Sequence, residues 1–273
     1  MKTIINFCPT GMIPTKSLNQ YVPITPNEII EQTHEAYELG ITIVHLHART
    51  DDEQPTYKKS VYREIVEGVR KNCPGLLVCC STSGRNFPLL EHRSEVIELY
   101  PDMCSLTLSS LNFQKTASLN APDTIMGLLD KMLAFGVHPE LECFDLGMIN
   151  YGKYLLKKKK IDGPCYWNLI FGNIAGFQPT FSQIGTAVQE VSEGHFIALG
   201  GIGGSQLKTN GFAIAEGLGV RVGLEDNIWY DRGRTQKASN IDLLNRIHRL
   251  MELHETELMS SEELGLYNTY HGK

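Results

Sequence analysis

Short apolar segments alternate with longer amphipathic segments along the whole chain. Eight of the short segments have the length and apolar content of buried strands, and successive ones begin roughly 25 to 40 residues apart. The predicted strands are Thr3–Cys8, Ile41–His47, Leu76–Ser81, Met103–Leu108, Glu140–Phe144, Trp167–Phe171, His195–Leu199 and Val220–Leu224. Polar residues cluster where these segments end, which indicates that the functional residues lie at the ends of the strands.

The longer segments repeat their apolar residues with the period of a helix. The first has clear boundaries, because Thr25 can cap the helix, Glu28 completes a capping box, and Gly40 is suited to end it. Pro26 fits the first helical position. The predicted helices are Pro26–Leu39, Tyr57–Lys71, Pro88–Tyr100, Ala121–Phe135, Tyr151–Lys160, Phe181–Glu193, Ser205–Leu218 and Gln236–Leu258.

Eight strand–helix units in 273 residues predict a TIM (β/α)8 barrel that forms a single domain over residues 1–273. A short C-terminal extension is expected at about 259–273. An open doubly wound sheet is the alternative, because the number of strands does not prove closure. Two features favour the barrel. No G-x-G-x-x-G follows the first strand, and polar residues lie at the C-terminal ends of nearly all strands, where barrel active sites form.

Composition limits the classes of function. A net charge of −6 and a pI near 5.9 argue against a nucleic-acid partner, which normally needs a concentrated basic face. The first apolar stretch is too short for a signal peptide, and no segment approaches the length of a membrane span. Seven cysteines without C-x-x-C spacing indicate reduced, buried side chains and not a disulfide framework. We therefore expect a cytoplasmic protein without membrane contact.

Two histidines at the end of the second strand are the strongest candidates for a metal site. Side chains alternate along a strand, so His45 and His47 share one face and Leu46 takes the other. Barrel closure brings the eighth strand near the second, which allows Glu225 to approach both histidines. Two imidazoles and one carboxylate are a common ligand set for a catalytic zinc with an open position. The alternative is a pair of structural histidines that hydrogen bond inside the barrel.

The eighth strand also supplies a charged pair. Arg221 and Glu225 are predicted to face the barrel interior, where an oriented guanidinium could stabilise an enolate or bind a carboxylate. Asp226 is the expected partner of Arg221, but strict alternation would place it on the opposite face. The pair can form only if the chain bends near Gly223 or leaves the strand at Glu225. A structural ion pair at the barrel mouth is the competing interpretation.

Hydroxyl groups and one carboxylate are expected at the mouth of the barrel. Ser81 ends the third strand, and Ser105 and Thr107 lie on the fourth; such hydroxyls suit a carboxylate of the substrate, although turn and capping roles explain them almost as well. On the fifth strand Glu142 is the predicted inward carboxylate.

A glycine-rich turn follows the seventh strand and leads into a helix. Barrels often bind phosphate at this position through backbone N–H groups. Gly201, Gly203 and Gly204 are therefore candidates for cofactor binding, with an ordinary turn as the alternative.

These motifs together resemble the β-keto acid cleavage enzymes, the family of 3-keto-5-aminohexanoate cleavage enzyme. The resemblance covers almost the whole chain. It rests on the segments Thr10–Lys16, His45–Arg49, Pro139–Glu142 and Arg221–Asn227.

The resemblance implies a specific reaction and specific roles. A β-keto acid and acetyl-CoA would give acetoacetate and a new acyl-CoA by condensation followed by retro-Claisen cleavage. His45, His47 and Glu225 would hold a divalent metal, usually zinc. Arg221 and Asp226 would activate the keto acid. Ser81 would bind its carboxylate together with Ser105 or Thr107, between which the resemblance does not choose.

The resemblance also implies a homotetramer, and it contains one informative departure. Family members that handle amino-bearing keto acids carry an acidic residue in the loop after the first strand, whereas this loop reads Met12-Ile13-Pro14. We therefore expect a substrate with a neutral or anionic side chain.

Other interpretations remain open at this point. Manganese, cobalt or iron could replace zinc at the same ligands. A metal-dependent hydrolase or aldolase, or a non-catalytic barrel that binds keto acids or acyl-CoA, would use much of the same site. Amidohydrolase barrels carry H-x-H on the first strand, whereas here it lies on the second.

Overall fold

A computed structural model of the chain describes residues 2–191 and 193–268. Eight parallel strands close into a barrel in which each strand pairs with the next, and the eighth pairs with the first. The barrel strands are β1 Ile5–Phe7, β2 Ile43–Leu46, β3 Leu77–Cys80, β4 Met103–Thr107, β5 His138–Cys143, β6 Tyr166–Phe171, β7 Phe196–Gly201 and β8 Gly219–Val222. The predicted TIM barrel is confirmed.

Helices follow the strands on the outside of the barrel. They are α1 Pro26–Leu39, α2 Lys59–Asn72, α3 Leu90–Ser94, α4 Pro122–Ala134, α5 Leu146–Lys157, α6 Phe181–Glu190, α7 Gln206–Ala215, α8 Asn240–Leu253 and α9 Ser261–Asn268. Short 3-10 turns occupy Glu95–Leu99 and Gly203–Ser205. Two small hairpins extend above the barrel, one pairing Ala48–Arg49 with Pro55–Thr56 and the other pairing Leu111–Asn112 with Ala117–Ser118.

Helix α1 has the predicted boundaries. The Thr25 side chain accepts a hydrogen bond from the Glu28 backbone, the Glu28 side chain accepts one from the Thr25 backbone, and Gly40 is the C-cap. Other boundaries differ. The predicted helix over 88–100 is divided into α3 and a 3-10 turn. Helix α5 begins at Leu146 because Asp145 caps it through the Met148 backbone.

Alternation along the strands separates two apolar regions. Outward residues such as Val44 and Leu46 of β2 pack under the helices in the large core. The inward residue Ile43 belongs instead to a smaller cluster at the N-terminal end of the barrel. Leu264 of α9 is fully buried in that same cluster. The N-terminal end of the barrel interior is therefore apolar, and the polar inward residues lie towards the C-terminal end.

The predicted C-terminal extension begins where the chain returns to the barrel base. Glu257–Leu258 pairs in parallel with Lys2–Thr3, and the Thr42 hydroxyl donates to the Met259 carbonyl at 2.6 Å. Helix α9 then follows. Residues 269–273 of the predicted extension lie outside the described residues.

The contact between β1 and β8 closes the barrel and turns the chain away from the strand. The Cys8 backbone N–H donates to the Val222 carbonyl at 2.8 Å, and the Glu225 N–H donates to the Cys8 carbonyl at 3.2 Å. Between them Gly223 has φ +149°, and a Cβ there would lie 2.0 Å from the Cys8 oxygen. Only glycine fits this close approach of two backbones.

Two further findings concern the whole described chain. Within residues 2–191 and 193–268, no helix is long and apolar enough to cross a membrane. All seven cysteines are free and buried, as the sequence predicts.

Gly223→Ala is expected to lower the free energy of unfolding by about 2–4 kcal/mol, because the methyl group clashes with backbone that cannot move without opening the barrel. Gly136→Ala is the matched control, since Gly136 also has a positive φ, +67°, but nothing lies within 4 Å of its Cβ position. Chemical denaturation measures both. Equal destabilisation of the two variants would contradict the role assigned to Gly223.

Candidate active site

The C-terminal end of the barrel opens into a cavity of about 810 Å³. Its walls come from the loops that follow the strands, including the hairpin at Leu111–Ser118 and the segment after β8. Most of the residues predicted from the sequence line this cavity: His47, Ser81, Thr107, Glu142, Gly203, Gly204, Arg221, Glu225 and Asp226.

The two histidines and Glu225 converge at the cavity floor. His45 Nε2 and His47 Nε2 are 3.3 Å apart, and His47 Nε2 lies 3.1 Å from Glu225 Oε1. The three ligand atoms lie within 4.8 Å of one another, so this group could hold a metal ion. The other carboxylate oxygen, Glu225 Oε2, is buried and has no hydrogen-bond partner among the described residues. An acceptor oxygen of this kind is suited to a cation.

A buried carboxylate orients the first histidine from below. Glu140 Oε2 lies 2.8 Å from His45 Nδ1, and its Oε1 accepts hydrogen bonds from Asn6 Nδ2 at 2.7 Å and Asn168 Nδ2 at 3.0 Å. Burial acts to lower the pKa of His45, but the Glu140 and Glu225 carboxylates together raise it to about 9. When the ring is neutral, its hydrogen bond to Glu140 keeps the proton on Nδ1, and Nε2 then carries the free lone pair.

A second group, His45, Cys79 and Glu140, also has the spacing of metal ligands. Its members are already hydrogen bonded to one another, because the Cys79 thiol donates a hydrogen bond to Glu140 Oε2 at 3.2 Å and Glu140 Oε2 also lies 2.8 Å from His45 Nδ1. Burial raises the pKa of Cys79 well above its usual range. His47 and Glu225, in contrast, line the cavity, and Glu225 Oε2 has no hydrogen-bond partner among the described residues. The group that includes His47 and Glu225 is therefore the better candidate for a metal site.

Arg221 lies at the centre of an ionic cluster beside the histidines. Its Nη2 is 2.7 Å from Glu225 Oε1, its Nε is 2.7 Å from Asp226 Oδ2, and its Nη1 is 3.6 Å from Glu142 Oε1. The Arg221 side chain is 2% exposed. The surrounding carboxylates raise its pKa well above the usual range, although burial acts against that shift.

The pairing of Arg221 with Asp226 depends on the bend at Gly223. Strand β8 ends at Val222, and residues 224–226 form a turn that reverses the alternation of the strand. Both Glu225 and Asp226 consequently face Arg221. Burial raises the pKa of Asp226 even though Arg221 lowers it. The pKa of Glu225 lies well below its usual range, because Arg221 and His47 together outweigh the effect of burial.

Glu142 faces inward, as predicted, and accepts a hydrogen bond from Thr107 Oγ1 at 2.8 Å. Burial raises the pKa of Glu142, and the nearby Glu140 carboxylate raises it further. The Thr107 hydroxyl and the Ser81 side chain both reach the cavity. Ser105 does not line it, because its Oγ accepts the Thr82 backbone N–H at 3.1 Å inside the wall.

The three candidate glycines occupy different environments. Gly203 and Gly204 line the cavity and begin a 3-10 turn, and nothing lies within 4 Å of their Cβ positions. Gly201 ends β7 and is buried against Thr209 and the Ser205 backbone. Gly201 thus supports the packing of α7, whereas the other two leave open space beside the mouth.

Sequence reasoning missed two residues of the site. Glu140 has the same alternation as Glu142, two positions away, and that spacing could have identified it. Arg85 lies on the loop after β3 and lines the cavity. Its loop was identified for its hydroxyl groups, and no sequence pattern indicated a role for its guanidinium.

Comparisons with known proteins find similar sequences over almost the whole chain. The profile of a family described as β-keto acid cleavage enzyme matches residues 2–265. 3-Oxoadipate:acetyl-CoA acetyltransferase from Cupriavidus necator is 35% identical over 253 residues, which span 91% of this chain and 88% of the relative. 3-Keto-5-aminohexanoate cleavage enzyme from Fusobacterium nucleatum is 32% identical over 263 residues, or 96% of each chain.

A solved structure, the binary complex of ObcA with oxaloacetate, superposes with a TM-score of 0.76 at 19% identity. The match covers 91% of this chain and 67% of ObcA. At that identity the likeness concerns the barrel fold.

Glu140→Gln is expected to lower the free energy of unfolding by about 1–3 kcal/mol, because the amide places a donor against existing donors in a buried site. The melting temperature should fall by several degrees. Glu64→Gln, an exposed carboxylate on α2, is the control and should melt like the unaltered protein. Equal melting temperatures for all three proteins would show that the Glu140 hydrogen bonds do not stabilise the barrel.

Proposed function

Since this chain belongs to the β-keto acid cleavage enzyme family, we propose that it converts a β-keto acid and acetyl-CoA into acetoacetate and a new acyl-CoA. The observation that carries the proposal is the convergence of Arg221, Asp226 and the His45–His47–Glu225 group on one cavity. The relatives' names support it, because the Cupriavidus protein is named as an acetyl-CoA acetyltransferase of 3-oxoadipate.

The ligand set suits a divalent metal, and we propose zinc. His45 Nε2, His47 Nε2 and the unpaired oxygen of Glu225 are nitrogen and oxygen ligands of the type that zinc accepts. When bound, the metal would act as a Lewis acid on the keto acid. Glu140 would keep the His45 ring in the required tautomer and orientation.

Arg221 and Asp226 would carry out the proton transfer and charge stabilisation. Asp226 would accept a proton from C2 of the keto acid, and Arg221 would stabilise the negative charge of the enolate. The ion pair between them holds both groups at the cavity floor before substrate arrives, so little reorganisation is needed.

In the proposed reaction one carbon–carbon bond forms and another breaks. C2 of the keto acid attacks the thioester carbonyl of acetyl-CoA and releases the CoA thiol. The CoA sulfur then adds to the original C3 ketone, the C2–C3 bond breaks, and acyl-CoA leaves. The remaining fragment takes a proton at C2 and is released as acetoacetate.

Two cavity hydroxyls are suited to the carboxylate of the keto acid. Ser81 and Thr107 both reach the cavity, whereas Ser105 is engaged in the wall. We therefore assign the carboxylate to Ser81 and Thr107. The Thr107 hydroxyl donates to Glu142 in the free protein and would turn its proton to the substrate carboxylate. The Met12-Ile13-Pro14 loop lines the same cavity and offers no carboxylate for an amino group, in keeping with a neutral or anionic substrate.

Acetyl-CoA would bind at the mouth of the cavity. Gly203 and Gly204 have open space beside them, which leaves room for its phosphates or its pantetheine arm.

The homotetramer and the cytoplasmic location expected from the sequence stay predictions. Native mass spectrometry tests the first, and cell fractionation tests the second.

An assay of both products tests the proposed function. Zinc-loaded protein is given acetyl-CoA and a panel of neutral, acidic and amino-bearing β-keto acids. Acetoacetate and the matching acyl-CoA are expected in equal amounts, and chelation of the metal should stop both. Absence of both products with every acid, although zinc is bound, would favour the hydrolase or the binding protein instead.

Paired variants separate metal binding from chemistry. His47→Ala is expected to lose the metal and the activity together, because it removes one of three ligands. Arg221→Lys is expected to retain the metal and lose at least about a hundredfold in kcat, because lysine cannot replace the fork of donors. Elemental analysis measures the metal. Stoichiometric metal in His47→Ala, or near-normal turnover in Arg221→Lys, would contradict the assigned role.

A further inference from the structure

Arg85 is a half-buried cation in the wall of the active-site cavity. It lies on the loop after β3, four residues beyond Ser81. Its guanidinium stacks on Phe113, with 3.5 Å between the guanidinium carbon and the ring centroid. Phe113 in turn packs edge-on against Phe144, at a centroid distance of 5.8 Å. The guanidinium plane is therefore held against Phe113, which Phe144 supports in turn, and its N–H groups form no hydrogen bond to the described residues.

Apart from Phe113, the Arg85 guanidinium has no partner among the described residues. It forms no hydrogen bond and no ion pair there, and its Nε is buried without a hydrogen-bond partner. Arg49 and Arg93 differ, because both donate to backbone carbonyls. Burial lowers the pKa of Arg85, and the Glu225, Glu142 and Asp226 carboxylates act against that shift without forming an ion pair with it. A half-buried guanidinium whose donors are unpaired can gain charge-assisted hydrogen bonds from an anionic ligand.

The other cations around the cavity are in different situations. Arg221 already contacts three carboxylates. Lys115 and Arg234 line the rim but are exposed to solvent. Arg85 thus combines a half-buried position, an aromatic support and donors without hydrogen bonds to the described residues.

We propose that Arg85 binds a second carboxylate at the far end of the substrate, so that the preferred β-keto acid is a dicarboxylate. This inference rests on the proposed function and narrows its substrate class. The planar fork of an arginine matches a carboxylate through two parallel hydrogen bonds. Ser81 and Thr107 would hold the carboxylate beside the keto group, and Arg85 would hold the distal one.

The test compares two acids of the same chain length. One is 3-oxohexanedioate, which is the 3-oxoadipate in the name of the Cupriavidus relative; the other is 3-oxohexanoate, whose far end is uncharged and which is called the neutral acid below. Arg85→Met keeps the length of the side chain and removes its charge, and Arg85→Lys retains the charge. For Arg85→Met we expect kcat/KM for the diacid to fall by about 10- to 100-fold. The value for the neutral acid should change by less than about threefold. Arg85→Lys should lie between, and Lys115→Met serves as the control at the rim.

Binding of the diacid without acetyl-CoA, measured by calorimetry, gives a result that does not depend on turnover. Weaker binding by Arg85→Met, on the order of tenfold, supports the proposal. Equal losses with both acids, or a raised KM for acetyl-CoA, would overturn it. Turnover of the neutral acid alone by the unaltered protein would overturn the Arg85 assignment and leave the proposed function standing. Failure of the metal-loaded protein with every acid, despite diacid binding, would overturn the proposed function instead.

Discussion

The ionic cluster around Arg221 is the interaction on which the rest of the site depends. One guanidinium contacts Glu225, Asp226 and Glu142, which lie on β5 and on the turn after β8. Without it, three carboxylates would share a small buried volume and repel one another. The cluster includes Glu225, which also contacts His47, so it joins Arg221 and Asp226 to the candidate metal-ligand group. Its geometry follows from barrel closure, because the pairing of β8 with β1 brings the turn after β8 close to His45 and His47 at the end of β2.

The barrel divides its interior between stability and chemistry. Apolar side chains fill the N-terminal half, where Leu264 of α9 is buried with Ile43. Above them, Glu140 gathers hydrogen bonds from Asn6, Asn168 and Cys79 and orients His45. A carboxylate so deep in the barrel is tolerable because its oxygens are satisfied. The polar layer at Glu140 therefore joins the apolar base to the reactive mouth.

The fold could be predicted from the sequence because hydrophobic periodicity reports burial directly. Helix ends were harder, since Asp145 and Ser239 act as caps that move the starts of α5 and α8 away from the apolar pattern. The facing of His45, His47 and Glu142 followed from alternation. The position of Asp226 did not, because it depends on the backbone bend at Gly223. Thr107 reaches the cavity whereas Ser105 is held inside the wall, and the Arg85 guanidinium has no hydrogen-bond partner among the described residues. Both findings depend on how the side chains pack, which no local sequence pattern contains.

The central claim is that the acetyl group of acetyl-CoA becomes part of the acetoacetate released. Acetyl-CoA labelled with carbon-13 at the acetyl carbonyl, combined with an unlabelled β-keto acid, tests this claim by NMR of the products. The account predicts label at C3 of acetoacetate and an unlabelled acyl-CoA. Label in free acetate, with acetoacetate unlabelled or absent, would contradict it and indicate thioester hydrolysis.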